Sequence, residues 1–152
     1  MLKGLEEACL MQGLFYRYIR LYRVLIKKLN GLLAQFGLSY SLWQVTFYVR
    51  NFGPCTLVEI CKYYQVEKPN VTRIVQKLEE QGIVEQIPGK DRREKVIRMT
   101  ERGENLYRQC RAEITGLEQQ AMKGIPEAEQ EMVFELLPQI RDNLDHKGEE
   151  TN

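Results

Sequence analysis

A run of six charged residues, at positions 90–95, lies between two short apolar segments at 83–87 and 96–99. Short segments joined by a turn that contains Gly89 are typical of a two-stranded antiparallel ribbon with one covered face. The charged run then forms the tip of a hairpin, where its side chains are either solvated or in contact with a negatively charged partner. A small β-hairpin of this kind restricts the fold more than any other feature of the chain.

The segment before the hairpin, residues 69–82, has the pattern of an amphipathic helix. Pro69 is favourable in the first turn of a helix, and Gly82 can adopt the left-handed conformation that ends one. Apolar residues recur at steps of three and four, which predicts a buried stripe on one face. The stripe consists of Val71, Ile74, Val75 and Leu78, and the outer face carries Asn70, Thr72, Arg73, Gln76 and Lys77.

Five other helices are predicted from apolar periodicity and from capping residues such as Thr56 and Thr100. They span roughly residues 8–35, 41–52, 56–64, 101–122 and 127–146. The chain is therefore expected to be mainly α-helical with a small β-hairpin.

The formal net charge is only +1, but the charges are unevenly distributed along the chain. Lysines and arginines minus aspartates and glutamates give +4 for residues 1–61, +4 for 62–111 and −7 for 112–152. A near-neutral total thus combines a basic body with an acidic C-terminal section. This distribution is compatible with a surface that binds nucleic acid.

Few residues are available for catalysis or for a metal site. His146 is the only histidine, and the four cysteines at 9, 55, 61 and 110 contain no CxxC pair. Zinc sites need several histidine or cysteine ligands at close spacing, and general-base catalysis most often uses histidine. The sequence therefore favours a protein that is not an enzyme and that uses neither a metal nor another cofactor.

The start of the chain indicates neither export nor membrane insertion. Glu6 and Glu7 lie where a signal peptide would be basic and then apolar. No apolar run approaches the roughly 18 residues needed to span a bilayer. We therefore expect a cytoplasmic protein with free thiols and no membrane partner, because disulfides are rare in that compartment.

The short helix at 56–64 and the polar helix at 69–82 fit the chemistry of a helix-turn-helix. The outward side chains of the second helix can donate hydrogen bonds to base edges and phosphates, and carboxylates come only at its far end, at Glu79 and Glu80. The basic tip that follows can act as a wing, since a narrow minor groove concentrates negative potential that attracts arginine. Asp91 is expected to pair with a nearby arginine and to brace the tip.

A surface of this kind can also bind partners other than duplex DNA. A winged-helix module can bind protein or RNA in place of duplex DNA, and a polar helix with a charged turn can simply be solvated. The basic outer face of the second helix favours duplex DNA.

Four segments resemble the MarR family of bacterial transcription regulators. Residues 71–84, VTRIVQKLEEQGIV, are similar to the recognition helix of that family, and residues 91–93, DRR, are similar to its wing. Residues 99–103, MTERG, resemble the start of its next helix, and residues 53–61, GPCTLVEIC, resemble an earlier stretch. The likeness is most specific over about residues 56–103, and the order of elements extends it over nearly the whole chain.

The resemblance implies a winged helix-turn-helix domain over residues 37–100 and a helical dimerisation domain built from residues 1–36 and 101–152. Such a protein would bind palindromic operator DNA as a homodimer, usually as a repressor. Its two recognition helices would lie about one DNA turn, ~34 Å, or a multiple of it, apart. The apolar stripes at both ends of this small chain fit a partner copy.

The resemblance also assigns the DNA contacts by position. Arg93 is expected in the minor groove, and Arg92 at a phosphate or in the structure of the tip. Lys90 and Lys95 attract phosphates in general. Gln65 stands where the family often has glycine, so the turn between the two helices is expected to be strained or differently shaped. The contacts on the recognition helix are Lys68, Pro69, Asn70, Thr72, Arg73, Gln76 and Lys77.

Members of the family often bind a small aromatic or lipophilic effector between the dimerisation helices and the winged domain. Arg50 could serve as a second cation for an acidic group on such a ligand. Aromatic residues at helical spacing also fit an ordinary core. The side chains that the resemblance suggests for the effector are Arg17, Tyr18, Tyr22, Tyr40, Trp43 and Phe47.

Some members of the family sense oxidants through a cysteine on the first helix, which makes Cys9 a candidate. Cys55 follows a proline in a loop and is expected to be exposed. A reactive thiol needs both access and a lowered pKa. A redox-sensing regulator of the same fold, using Cys9 or Cys55, is therefore an alternative.

Overall fold

The structure is a computed structural model that describes residues 13–91 and 93–145. In chain order its elements are α1 (Leu14–Ala34), α2 (Tyr40–Phe52), α3 (Leu57–Tyr64), α4 (Lys68–Glu80), β1 (Val84–Pro88), β2 (Lys95–Met99), α5 (Glu101–Ala121) and α6 (Glu127–Asp145). The expectation of a mainly helical chain with a small β-hairpin is confirmed. Among the described helices, none is both long enough and apolar enough to cross a membrane.

The chain divides into two compact units, Met1–Ile114 and Thr115–Asn152, and α5 begins in the first and ends in the second. In the first unit α4 packs against α2, α3 and β1, and β2 packs against α2 and α3. The fully buried side chains there include Ile60, Val71, Val75, Leu78, Ile83 and Ile97. The division into a winged domain over 37–100 and flanking dimerisation helices stays a prediction.

Helix α1 is amphipathic, but most of its apolar side chains are uncovered. Leu29 and Leu33, near its end, are buried in the first unit. An exposed apolar surface of this extent is typical of an interaction site. The exposed apolar residues nearer its start are Leu14, Phe15, Tyr16, Tyr18, Ile19, Leu21, Tyr22, Val24 and Leu25.

The boundaries of α2 and α3 follow local capping chemistry. The Ser39 hydroxyl accepts a hydrogen bond from the backbone N–H of Leu42 at 3.3 Å. Thr56 and Glu59 form a reciprocal capping box at the start of α3. Helix α3 ends at Gln65, which adopts the left-handed conformation at φ 54° and ψ 46°. A residue with a Cβ atom is strained in that conformation, so the strained turn expected from the missing glycine is present.

The hairpin is antiparallel and places Gln86 opposite Ile97. Strand β1 begins at Val84, one residue later than expected. The backbone N–H of Cys55 donates to the carbonyl oxygen of Ile97 at 3.0 Å, and the N–H of Ile97 donates back at 2.7 Å. This short bridge attaches the segment before α3 to the sheet, on the side of β2 that β1 leaves open.

Helix α5 is held to the end of the hairpin by two residues. The Thr100 hydroxyl accepts a hydrogen bond from the Gly103 amide at 3.0 Å and donates to the carbonyl oxygen of Gly82 at 2.5 Å. Gly103 lies directly against Ile83, because a Cβ atom at this position would be 2.1 Å from the Ile83 carbonyl oxygen. Only glycine permits this approach of two backbones.

Tyr107, one turn further along α5, contacts α2. Its ring stacks on Trp43 with centroids 5.1 Å apart, and its hydroxyl accepts a hydrogen bond from the Asn51 side chain at 3.1 Å. The Arg50 guanidinium lies 5.4 Å from the centre of the Tyr107 ring and pairs with Glu104 at 2.6 Å. The first two turns of α5 are therefore attached to α2, which packs against α4.

The second unit consists of the end of α5, a short connection and α6. The Gln130 side chain donates to the carbonyl oxygen of Ile125 at 2.8 Å and so joins the connection to the first turns of α6. None of the described residues of α6 is buried. Its exposed large apolar residues are Met132, Val133, Phe134, Leu136, Leu137 and Leu144.

Replacing Gly103 with alanine is expected to lower the free energy of unfolding by about 1–3 kcal/mol, because the added methyl group forces α5 away from Ile83. Chemical denaturation with a helical circular-dichroism signal measures the change. Gly116 in the same helix is the matched control, since a Cβ atom there meets nothing within 4 Å. Gly116→Ala should raise stability by about 0.5–1 kcal/mol through helix propensity. Equal effects of the two substitutions would contradict the close contact.

Candidate nucleic-acid interface

Helix α4 has a buried face and an exposed face. Val71, Val75 and Leu78 are buried in the first unit, and Ile74 is half-buried beside them. Because an α-helix turns once every 3.6 residues, the remaining positions point away from the core. All seven residues expected on the recognition helix are exposed, namely Lys68, Pro69, Asn70, Thr72, Arg73, Gln76 and Lys77.

The exposed face of α4 is basic. Lys68, Arg73 and Lys77 are its cations, and no aspartate or glutamate occurs between positions 68 and 77. The nearest carboxylate that follows is Glu79, which accepts a hydrogen bond from the Gln86 side chain at 3.0 Å and is thereby turned to the hairpin. This face combines positive charge with hydrogen-bond donors, which is the chemistry that phosphates and base edges require.

Two side-chain hydrogen bonds organise the same face. An Nη2 hydrogen of Arg73 is donated to the Asn70 side-chain oxygen at 2.6 Å. The Thr72 hydroxyl donates to the backbone carbonyl of Lys68 at 2.9 Å. Thr72 therefore presents its methyl group and an oxygen acceptor, whereas Arg73 retains further N–H donors beyond the one bound to Asn70.

The tip of the hairpin is closed by backbone hydrogen bonds. The N–H of Gly89 donates to the carbonyl oxygen of Glu94 at 2.8 Å, and the N–H of Glu94 donates to the carbonyl oxygen of Asp91 at 2.9 Å. Lys90, Arg93 and Lys95 are exposed around this turn. The backbone of Glu94, a residue with no expected role, is thus what closes the loop.

Asp91 is expected from the sequence to pair with an arginine side chain, but its described contact is with a backbone amide. Its Oδ1 atom accepts from the backbone N–H of Arg93 at 3.5 Å. The side chain of Arg92, the other candidate partner, lies outside the described residues. A bracing role for Asp91 therefore stays a prediction, with a backbone amide as its described contact.

The expected effector residues fall into two groups. Tyr18 and Tyr22 are exposed on α1 with ring centroids 6.3 Å apart, and Arg17 is exposed beside them. Tyr40 accepts a hydrogen bond from the Gln44 side chain at 3.0 Å. Burial raises the pKa of Tyr40 above its usual value, and the nearby Tyr22 and Tyr18 add to the rise. These three tyrosines thus lie within electrostatic range of one another.

Trp43 and Phe47 form the second group and are in contact with Tyr107. The Trp43 side chain is only 7% exposed and stacks on the Tyr107 ring, and the Phe47 and Tyr107 centroids are 6.4 Å apart. Arg50 forms an ion pair with Glu104, a partner that was not predicted from the sequence. Tyr107 was not predicted as a site residue either. The pattern that could have indicated it is its helical spacing with the buried residues Gly103, Cys110 and Ile114.

A cleft of about 470 Å³ lies between α2, α4 and the turn that joins α3 to α4. Leu42, Val45 and Ile74 contribute apolar walls, and Arg73 and Lys77 contribute cations from the recognition helix. None of the six expected effector residues lines it. This cleft could not be predicted from the sequence, because its walls come from segments that are separated along the chain.

The expected exposure of Cys55 is wrong. The residue is 2% exposed, because its backbone bridge to Ile97 draws it into the core. Burial raises the pKa of the Cys55 thiol to about 11, and Glu59 adds to the rise. Cys110 is also buried, with a pKa raised to about 11 by burial. Both thiols are therefore protonated and poor nucleophiles at neutral pH. Cys9 lies outside the described residues.

Metal binding finds no support within residues 13–91 and 93–145. These ranges contain no group of three or more histidine, cysteine, aspartate or glutamate side chains placed to hold an ion.

Known proteins have related sequences and a similar fold. A sequence profile of the MarR family matches residues 36–94. The uncharacterized HTH-type transcriptional regulator YwoH of Bacillus subtilis (strain 168) is 36% identical over 109 residues, which cover 72% of this chain and 80% of YwoH.

Two solved structures extend the fold match over most of the chain. MarR of Staphylococcus aureus, in complex with salicylate and kanamycin, superposes with a TM-score of 0.83 at 23% identity and covers 94% of this chain and 97% of its own. A MarR/EmrR family regulator of Acinetobacter sp. ADP1 gives 0.77 at 26% identity, with 88% and 96% covered.

The residues matched by the profile include α2, α3, α4 and β1 and end at the hairpin tip, just before β2. Proteins of this family are DNA-binding transcription regulators and not enzymes. From the sequence relationship and the shared winged-helix fold, the chain belongs to the MarR family of transcription regulators.

Proposed function

We propose that the protein binds palindromic operator DNA as a homodimer and represses transcription, with α4 in the major groove and the hairpin tip at the neighbouring minor groove. The observation that carries this proposal is the exposed face of α4, which bears three cations and no carboxylate from position 68 to 77. Because the proposed target is genomic DNA, we expect the protein to act in the bacterial cytoplasm.

The charges of the first unit support this arrangement. Arg50 and Arg98 are neutralised by Glu104 and Glu85, at 2.6 and 2.5 Å. Arg73 instead contacts a neutral amide and so keeps its charge available to phosphates. Cations that meet phosphates release condensed counterions, so affinity for DNA should fall steeply with salt.

The uncovered apolar side chains support a homodimer. Helix α1 exposes nine large apolar residues and α6 exposes six, each helix in its own unit. Soluble monomers rarely expose so much contiguous apolar surface. A second copy that covers these helices would place two recognition helices in one complex, which suits a two-fold symmetric operator.

We also propose that a small aromatic or lipophilic effector releases the protein from DNA. The support is the group of Tyr18, Tyr22 and Tyr40, which offers aromatic surface and hydroxyl groups, and Arg17, which offers a cation. Salicylate is present in the complex of the Staphylococcus aureus relative. Trp43 and Phe47 would line this site from the side of α2.

The alternatives have weaker support. Redox sensing by Cys55 conflicts with its burial and raised pKa, which leaves Cys9 as the remaining candidate. RNA binding conflicts with the shape of the surface, because the deep and narrow major groove of A-form RNA does not admit a helix such as α4. Binding to a protein in place of DNA would leave the cations on the exposed face of α4 without a specific role.

Replacing Arg73 with alanine is expected to weaken binding to the preferred duplex by about 1–3 kcal/mol, because a base contact is lost. Arg93→Ala should weaken binding and reduce the slope of log K against log salt by about 1, because a cation is lost from the negative potential of the minor groove and fewer counterions are released. Fluorescence anisotropy with labelled duplexes at several salt concentrations measures both effects.

Arg141→Ala on α6 is the control, since Arg141 is paired with Asp142 at 2.8 Å and lies in the other unit. Arg141→Ala should leave the affinity for DNA and its salt dependence unchanged. Unchanged binding in Arg73→Ala and Arg93→Ala would show that the assigned surface does not contact DNA, and tighter binding to an RNA duplex than to DNA would favour the RNA alternative.

Titration with phenolic or benzoate-like compounds is expected to change the fluorescence of Trp43, the only tryptophan, and to release the operator. Tyr22→Leu should weaken both responses by about tenfold, because aromatic contact with the ligand is lost. Tyr63→Leu, which removes an exposed tyrosine from α3, is the control. The absence of any response at millimolar ligand would contradict this class of effector.

A further inference from the structure

The hydrogen bond between Arg73 and Asn70 gives the recognition helix a local order that the sequence alone does not show. The two residues are one turn apart on α4, and the Nη2 to Oδ1 distance is 2.6 Å. An exposed arginine ordinarily samples many rotamers, and fixing it on binding costs conformational entropy. A short contact in the unbound protein removes part of that cost in advance.

The geometry of the guanidinium determines what it can still bind. It carries five N–H groups in a rigid plane, and the bond to Asn70 uses one of them. Two further N–H groups are enough for a two-bond contact with the O6 and N7 atoms of guanine, the commonest specific contact of arginine in the major groove. Because the plane is held at one corner, the direction of the remaining donors is restricted.

The identity of the partner also matters. A carboxylate in place of Asn70 would hold the guanidinium more strongly but would cancel its charge and repel phosphates. An amide oxygen orients the side chain without either effect. Thr72 does not compete for this contact, because its hydroxyl hydrogen is donated to the carbonyl oxygen of Lys68.

We propose that Asn70 is a positioning residue that holds Arg73 for a two-bond contact with guanine, so that each half-site of the operator contains a G·C pair read by Arg73. The inference rests on the proposed function, in which α4 lies in the major groove. Asn70 itself acts through Arg73 and reads no base.

The test is a panel of duplexes in which each position of a half-site carries all four base pairs in turn, with affinity measured for each variant. The wild-type protein should prefer guanine at one position by about 10- to 100-fold, and Arg73→Ala should abolish that preference. Asn70→Ala should reduce the preference at the same position by roughly 3- to 10-fold and leave the other positions unchanged. In the Arg73→Ala background, Asn70→Ala should have no further effect on discrimination.

Two variants separate positioning from other roles. Asn70→Asp keeps the oxygen acceptor, so it should retain the guanine preference while it weakens binding to every duplex through charge repulsion. Asn105→Ala removes a matched contact on α5, where Arg108 donates to the Asn105 oxygen at the same three-residue spacing. Asn105→Ala should leave the base preference unchanged at every position of the half-site. Thermal unfolding checks that each variant is folded.

Three results would overturn the inference while the proposed function stands. They are a uniform loss of affinity in Asn70→Ala, a changed preference at a position that Arg73 does not read, and a base other than guanine at the position that depends on Arg73. A wild-type protein that does not discriminate among duplexes at all would instead overturn the proposed function, and this inference with it.

Discussion

Burial of Val71, Val75 and Leu78 sets the rotation of α4 about its own axis, and the rest of the interface depends on that rotation. With these three side chains in the core, Asn70, Arg73 and Lys77 can only point away from it. The same core is completed from the hairpin, so the recognition helix and the wing are supported by one set of apolar contacts. Loss of a single buried side chain would therefore disturb both proposed DNA contacts together.

The attachment of α5 is the second constraint. Gly103 lets α5 approach the backbone of Ile83, Thr100 caps it, and Tyr107 fastens it to α2 through Trp43 and Asn51. Several weak contacts of different kinds converge on one tyrosine, which gives the junction a defined geometry. The helix that leaves the winged region is thus fixed to the element that supports α4.

Local features were predictable from the sequence, and contacts between distant segments were not. The stripe on α4, the caps at Thr56 and Thr100, and the strained turn at Gln65 each depend on residues within one or two turns of helix, and the structure has all of them. The burial of Cys55 depends on a bridge to Ile97, 42 positions away, and the stacking of Tyr107 depends on Trp43, 64 positions away. Neither pairing leaves a periodic trace in the sequence. The predicted DNA contacts follow from periodicity and from family resemblance, whereas the bond between Asn70 and Arg73 depends on side-chain conformations that periodicity does not specify.

Binding to operator DNA as a symmetric dimer is tested most directly by selection of bound duplexes from a random library, followed by hydroxyl-radical footprinting of the enriched sequence. The expected result is an inverted repeat whose half-sites are centred about one helical turn, ~34 Å, or a multiple of it, apart, with two symmetric regions of protection. Enrichment of no sequence, or protection of a single asymmetric site, would contradict a symmetric dimer that reads operator DNA through α4.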